Sequence, residues 1–363
     1  MSDETTVANP LQNTPVIDVD VHFSWGNPEM LEKISKHMDE PWASYIHPDT
    51  GHNPFPSPGY PKKLGGRKDK DIENVVDADS LREPLCEEFG VDYPLINPLA
   101  MGDLVLQKER GIQDMRAYNN VLIEDFLDEE ESFYGVGSLT TRSPAHAAEE
   151  VDRLAAEDRI VGVMFLSGTE FGLPPGDPEL DIVYQAIDDN DLVPVYHPSE
   201  LLNVSSVIRQ LDRMVQIHSL NLPWSAMFQL VSVIGEGVPE KFPDLDFVFL
   251  EGGIGWIPYM MARLNKEYAQ WKTEGPMLRK SPEEYVRESC YFGTQPLGEF
   301  NDPSHMMQLV EMIGADRLMF ATDFPHFDFD HPTVLNTMLR TLSETQRAQI
   351  LHQNAADVFG INA

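Results

Sequence analysis

Eight short apolar segments, each separated from the next by a stretch of helical character, constrain this 363-residue chain more than any single motif. They lie at 16–22, 91–96, 133–139, 160–166, 192–197, 245–251, 290–294 and 318–323. Each is rich in Val, Ile, Leu, Phe or Met, as buried strands are. Strands that alternate with helices imply right-handed βαβ units around a parallel sheet, and eight such units close a barrel. A doubly wound open sheet competes, but it usually carries a Gly-rich phosphate loop after its first strand. This chain has Phe23-Ser24-Trp25 there. The expected fold is therefore α/β, a (β/α)8 TIM barrel forming one domain over 1–363, with a long insertion after the first strand at about 23–75.

The intervening helices have their own signals. Ile112–Leu127 is amphipathic, with Met115, Tyr118, Val121, Leu122 and Phe126 at helical spacing. Pro144 and Pro178 open helices just after Ser143 and Asp177. Asp79 or Ser80 can cap a helix over Leu81–Phe89, and Ser343 with Gln346 forms a capping-box pattern for the last one. Val204–Val238 reads as helix interrupted near Leu222-Pro223. The insertion is Pro- and Gly-rich and holds Lys62, Lys63, Arg67, Lys68 and Lys70, which read either as a solvated loop or as a lid that meets an anionic substrate.

Charge narrows the partners. Sixty acidic against 26 basic residues give a net −34, which argues against nucleic acid and anionic membrane. The acids run along the whole chain, a pattern of proteins that work in concentrated salt, where the Debye length falls to about 3 Å at 1 M. The acidic N-terminus lacks the basic and apolar regions of a signal peptide, so the cytoplasm is the expected compartment. Cys86 and Cys290 make no framework or Cys-x-x-Cys pair and are expected as buried packing.

Several strands end in metal-ligand residues. Asp20 and His22 stand two apart on the first and so leave the same face. His197, Glu251 and Asp323 close the fifth, sixth and eighth. In a parallel barrel those ends share one mouth. Imidazoles and carboxylates without thiolate suit Zn²⁺, Mn²⁺ or Fe²⁺.

The sequence resembles the amidohydrolase superfamily, in the branch that holds aminocarboxymuconate-semialdehyde decarboxylase and related aromatic-acid decarboxylases. The likeness runs from about 16 to 361. Its marks are Ile17-Asp18-Val19-Asp20-Val21-His22, Val195-Tyr196-His197-Pro198, Glu240-Lys241-Phe242-Pro243-Asp244-Leu245, Thr322-Asp323-Phe324-Pro325-His326 and Asn354-Ala355-Ala356-Asp357-Val358-Phe359-Gly360. The resemblance implies one divalent metal ion, zinc or manganese, held by Asp20, His22, His197 and Asp323. Two departures stand out. The first-strand motif is Asp-x-His where His-x-His or Glu-x-His is usual. Glu251 precedes Gly252-Gly253 where the decarboxylase has an acid/base histidine. Asp323, Glu251, His218 and His326 are the candidates for moving protons.

The expected function is metal-dependent hydrolysis or non-oxidative decarboxylation of a small carboxylated or cyclic substrate. The alternative is a non-catalytic metal- or ligand-binding barrel, which the missing histidine favours and the four retained ligand positions oppose. Relatives of this kind are often dimers, so a homodimer is expected by analogy.

Overall fold

In a computed structural model, the described residues are 14–24, 27–47, 49, 74–100, 102–166, 171–198, 210–211, 213–298, 300–332 and 341–362. Eight strands form one parallel sheet in sequence order: β1 (Ile17–Val21), β2 (Tyr93–Ile96), β3 (Tyr134–Ser138), β4 (Ile160–Leu166), β5 (Val193–His197), β6 (Phe247–Phe249), β7 (Cys290–Gly293) and β8 (Leu318–Met319). The ring closes between its first and last members. Val19 N–H donates to the Phe320 carbonyl at 3.0 Å and His22 N–H to the Phe324 carbonyl at 2.7 Å. The sheet is thus a TIM barrel, as the alternation of elements predicts.

Two layers of apolar side chains hold it. Ile17, Val19, Val136, Met164, Val195 and Met319 belong to an inner cluster that fills the barrel. Val16, Val163, Phe165, Tyr196, Phe249 and Phe292 belong to an outer cluster beneath the helices. Successive strand residues therefore alternate between the two.

The helices that matter below are α1 (Pro28–Ser35), α2 (Lys108–Leu122), α3 (Pro144–Leu154), α4 (Asp181–Asp189), α5 (Met214–Gly235) and α6 (Ile257–Trp271). Two expectations are corrected. The helix near Leu81 is capped by Asp77, whose carboxylate accepts from Ser80 N–H at 2.9 Å, rather than by Asp79 or Ser80. Helix α5 runs unbroken through Pro223. A proline costs a helix interior about 3 kcal/mol, but Leu222, Ala226, Leu230 and Val233 on the same helix are buried in the core and offset it.

The insertion is not all loop. It begins with α1, which packs on α2, and a short helix Trp42–Ile46 follows. Its two ends are tied: Ser24 N–H donates to the Val75 carbonyl at 2.8 Å, and Val75 N–H donates to Ser24 Oγ at 3.1 Å. Trp42 is packed against the core. Trp25 and the basic residues 62–70 lie outside the described residues. Among the described residues no helix is long and apolar enough to cross a membrane. Cys290 is buried, Cys86 half-buried, and both are free thiols.

Candidate active site

A slip in β1 brings Asp20 and His22 to the mouth. Ile17 and Val19 sit in the inner cluster, yet Val16 and Val21 sit in the outer one. The alternation therefore changes phase, and the pairing with β2 shifts register between Asp18 and Val21. Asp20 and His22 consequently reach the axis above Val19. There Asp20 Oδ1 comes within 3.5 Å of His197 Nε2 from β5 across the barrel.

The tautomers of both histidines are set by backbone carbonyls. His22 Nδ1 is 2.8 Å from the Asn97 carbonyl and His197 Nδ1 is 2.7 Å from that of Pro198. A carbonyl only accepts, so each Nδ1 carries a hydrogen, and in the neutral imidazole each Nε2 offers a lone pair. His22 Nε2 faces Asp20 Oδ1 at 3.2 Å and Asp323 Oδ1 at 3.1 Å. His197 Nε2 faces Glu251 Oε2 at 3.4 Å. Lone pairs aimed at carboxylate oxygens repel unless a cation stands between them. Two atoms bound to one ion at about 2.1 Å lie about 3.0–3.4 Å apart, and the distances here run from 3.1 to 3.5 Å. Asp20 Oδ2 and both Nε2 atoms are buried without a hydrogen-bond partner among the described residues. The donor set fits a divalent ion.

The electrostatics agree. Burial opposes a charge on His22, but the Asp20 and Asp323 carboxylates outweigh it and push the imidazole up to about 10. Burial alone would raise Asp20, yet the His197 and His22 imidazoles hold its carboxyl well below the usual range. The cluster favours positive charge at its centre, and a metal ion supplies that charge in place of protons.

Supporting groups complete the frame. Asn97 Nδ2 donates to Asp20 Oδ1 at 3.0 Å, and Gln295 Nε2 donates to Asp323 Oδ2 at 3.1 Å. Gln229 on α5 donates to the His197 carbonyl at 3.0 Å. Asp18 accepts from Thr322 Oγ1 at 2.6 Å, bracing β1 against the end of β8. Asp323 and Glu251 both have left-handed backbone, with φ of 66° and 46°. Such conformations cost non-glycine residues about 1–3 kcal/mol and cluster at functional sites.

The structure gathers Asp20, His22 and His197 into one group and His22, Asp323 and His326 into a second that shares His22. His326 stacks on His22 with ring centroids 4.5 Å apart, and its Nδ1 is 2.5 Å from Asp323 Oδ1. Glu251 sits at the edge of the cluster, against His197. His218 stands apart on α5, its Nε2 3.4 Å from Asp328 Oδ2. It lines a cavity of about 540 Å³ together with Gly252, Trp256, Pro296, Phe300 and Phe327. Three of those residues directly follow Glu251, Gln295 and His326, so the cavity adjoins the cluster. Asn97 and Gln295 were not among the predicted site residues. Each is a polar residue just past a strand end, the same signal that marked His197 and Asp323.

A parallel barrel with carboxylates and imidazoles converging at its mouth is the architecture of a metal-dependent enzyme. A family model described as amidohydrolase matches residues 17–361, and the chain belongs to that family. A gamma-resorcylate decarboxylase of Polaromonas sp. is 25% identical over 315 residues, spanning 79% of this chain and 89% of the relative. The crystal structure of 5-carboxyvanillate decarboxylase from Sphingomonas paucimobilis superposes with a TM-score of 0.72 at 22% identity, over 96% of this chain and 99% of that one. A dihydroxybenzoic acid decarboxylase from Polaromonas sp., solved with manganese and 2-nitroresorcinol, gives 0.71 at 20% identity, over 96% and 98%. The non-catalytic alternative finds no support in these relatives.

Proposed function

We propose that this enzyme is a metal-dependent carboxy-lyase that removes carbon dioxide from a small aromatic acid. The observation that carries the reading is the pair of Nε2 lone pairs aimed at buried carboxylates beside a largely apolar cavity. The relatives named as aromatic-acid decarboxylases support it. Asp20, His22, His197 and Asp323 would hold one divalent ion, manganese or zinc by their donor chemistry. Bound there, the ion supplies a Lewis acid for substrate oxygens.

The remaining work falls to the chain. Trp256, Phe300 and Phe327 offer apolar faces to a flat ring. Decarboxylation breaks the bond between the ring carbon and the carboxylate carbon. The electron pair stays on the ring carbon, which must gain one proton. His326, held through Nδ1 by Asp323 and half-buried next to Phe327 of the cavity wall, is placed to deliver it. Glu251 is the second proton-handling group, at the position of the absent histidine. The acid-rich composition supports work in a salt-rich cytoplasm.

The test loads the purified protein with manganese and offers hydroxybenzoic acids in parallel with lactones and amides. Carbon dioxide release with the matching phenol as product is expected. Cleavage of a lactone or amide without carbon dioxide would assign the site to hydrolysis instead.

A further inference from the structure

The cavity beside the cluster is short of charge. Among its described lining residues there is no Asp, Glu, Lys or Arg, and its one ionisable side chain, His218, already faces Asp328 at 3.4 Å. What the wall offers instead is N–H groups. They come from the turn Gly252-Gly253-Ile254-Gly255-Trp256, which leads out of β6 into the 15-residue helix α6 and lines the cavity along its whole length.

Gly253 N–H donates to the Gln295 carbonyl at 3.0 Å, but the N–H groups of Ile254, Gly255 and Trp256 make no hydrogen bond to another described residue. Ile254 and Trp256 are only 2% and 7% exposed. A buried backbone N–H is seldom left in that state. The Trp256 side chain adds a further donor. Its indole Nε1 is buried and has no hydrogen-bond partner among the described residues. That nitrogen is set against Gly252, where an added Cβ would stand 3.2 Å from it, so the glycine leaves room beside the N–H edge of the ring. A buried indole N–H ordinarily finds an acceptor.

Donors gathered at the start of one helix without an acceptor call for one that arrives with the ligand. The α6 dipole puts partial positive charge at the same end, which favours an anion. An ionised carboxylate only accepts, so it matches a set that only donates; a hydroxyl must place its own proton elsewhere. We propose that the N-terminus of α6 together with Trp256 Nε1 is a carboxylate subsite, and that the substrate is an aromatic acid with two carboxylates. One, at the Asp20, His22 and His197 cluster, leaves as carbon dioxide while the ring carbon gains a proton. The other stays on α6 and fixes the ring, so the product is the aromatic monoacid. The loss of the first group rests on the carboxy-lyase reading above; the binding of the second does not. A chain of net charge −34 repels a dianion, and a helix N-terminus draws it in without a basic side chain.

The test is titration calorimetry of the full chain, loaded with manganese in molar potassium chloride, against phthalate, isophthalate, terephthalate, 3-hydroxybenzoate and benzoate. At least one dicarboxylate should bind about 10-fold or more tighter than either monoacid. Trp256→Phe keeps an aromatic ring and removes the N–H. It should lose about 10-fold in affinity for that dicarboxylate, with benzoate affinity, manganese content and circular dichroism unchanged. In protein carrying isotope-labelled tryptophan, the indole N–H resonance that Trp256→Phe removes should move downfield with the dicarboxylate and not with benzoate. Dicarboxylates that bind no tighter than benzoate to the unmodified protein overturn the proposal, whether or not the variant folds. So does a variant that loses affinity for diacid and monoacid alike, or for neither. Carbon dioxide release is followed separately. A diacid that binds through Trp256 and is not decarboxylated would overturn the carboxy-lyase reading alone and bear out the subsite.

Discussion

His22 Nε2 and Asp323 Oδ1 lie 3.1 Å apart at the seam where the first and last strands of the barrel meet. The seam is tied by backbone as well, since Asp323 N–H donates to the Asp20 carbonyl at 2.9 Å. The segments that close the barrel therefore also carry the candidate ligands Asp20, His22 and Asp323. Backbone hydrogen bonds across this seam fix the candidate ligands just past the strand ends, the kind of support that keeps such groups within the tolerance a metal site needs.

Asn97 fixes this arrangement from β2. Its carbonyl orients His22 and its side chain holds Asp20. Asn97→Ala keeps the carbonyl and removes only the amide. Manganese affinity should fall about 10–100-fold with the melting profile of the metal-free protein little changed. Titration calorimetry checks it, and an unaltered affinity would make Asn97 a spectator.

Glu251→Gln preserves shape and removes a charge. The turnover rate should fall by about 10²–10⁴ while metal content, read by atomic emission, stays at one ion per chain. Loss of the metal together with the rate would make Glu251 a ligand rather than a proton carrier. Unchanged turnover would leave it a brace for His197.

The sequence made the barrel and the convergence of Asp20, His22, His197 and Asp323 legible because both depend on local pattern, on strands of the right character ending in the right chemistry. What it concealed depends on contacts between distant segments. The phase change in β1 cannot be seen in alternating residues 16–22, since a strict alternation reads equally well. The continuity of α5 through Pro223 comes from burial of its neighbours, which outweighs a local breaking signal. Asn97 and Gln295 acquire roles only once β2 and β7 are placed beside β1 and β8.

Asp114 gives a pH dependence. Burial pushes its carboxyl up to about 7, with Arg110 pulling the other way. The unfolded value is about 3.9, so between about pH 4 and 7 the native state binds the proton more tightly. Stability from this group is full at acid pH and is lost as pH rises toward 7, at up to about 1.4 kcal/mol per unit. Asp114→Asn removes that slope. The stability of the variant relative to the unmodified protein should climb from pH 5 to 7 and level off above. Parallel urea-denaturation profiles at pH 5, 6, 7 and 8 would count against it.

Salt should stabilise the whole molecule. Repulsion within a −34 surface is relieved when ions screen it beyond about 3 Å near 1 M. The melting temperature by circular dichroism should rise steeply between dilute buffer and molar potassium chloride. A flat or falling trend would leave the acidic composition without this explanation.

The apolar plug of Val19, Val136, Met164, Val195 and Met319 below the site makes the barrel a cul-de-sac. Among the described residues this cluster is apolar, so an ion and a substrate would reach the site from the mouth. Geometry would then order the traffic, with an ion entering before the substrate and leaving after it. A substrate in the pocket would then shield an ion behind it, and a chelator would have to wait its turn in the same queue.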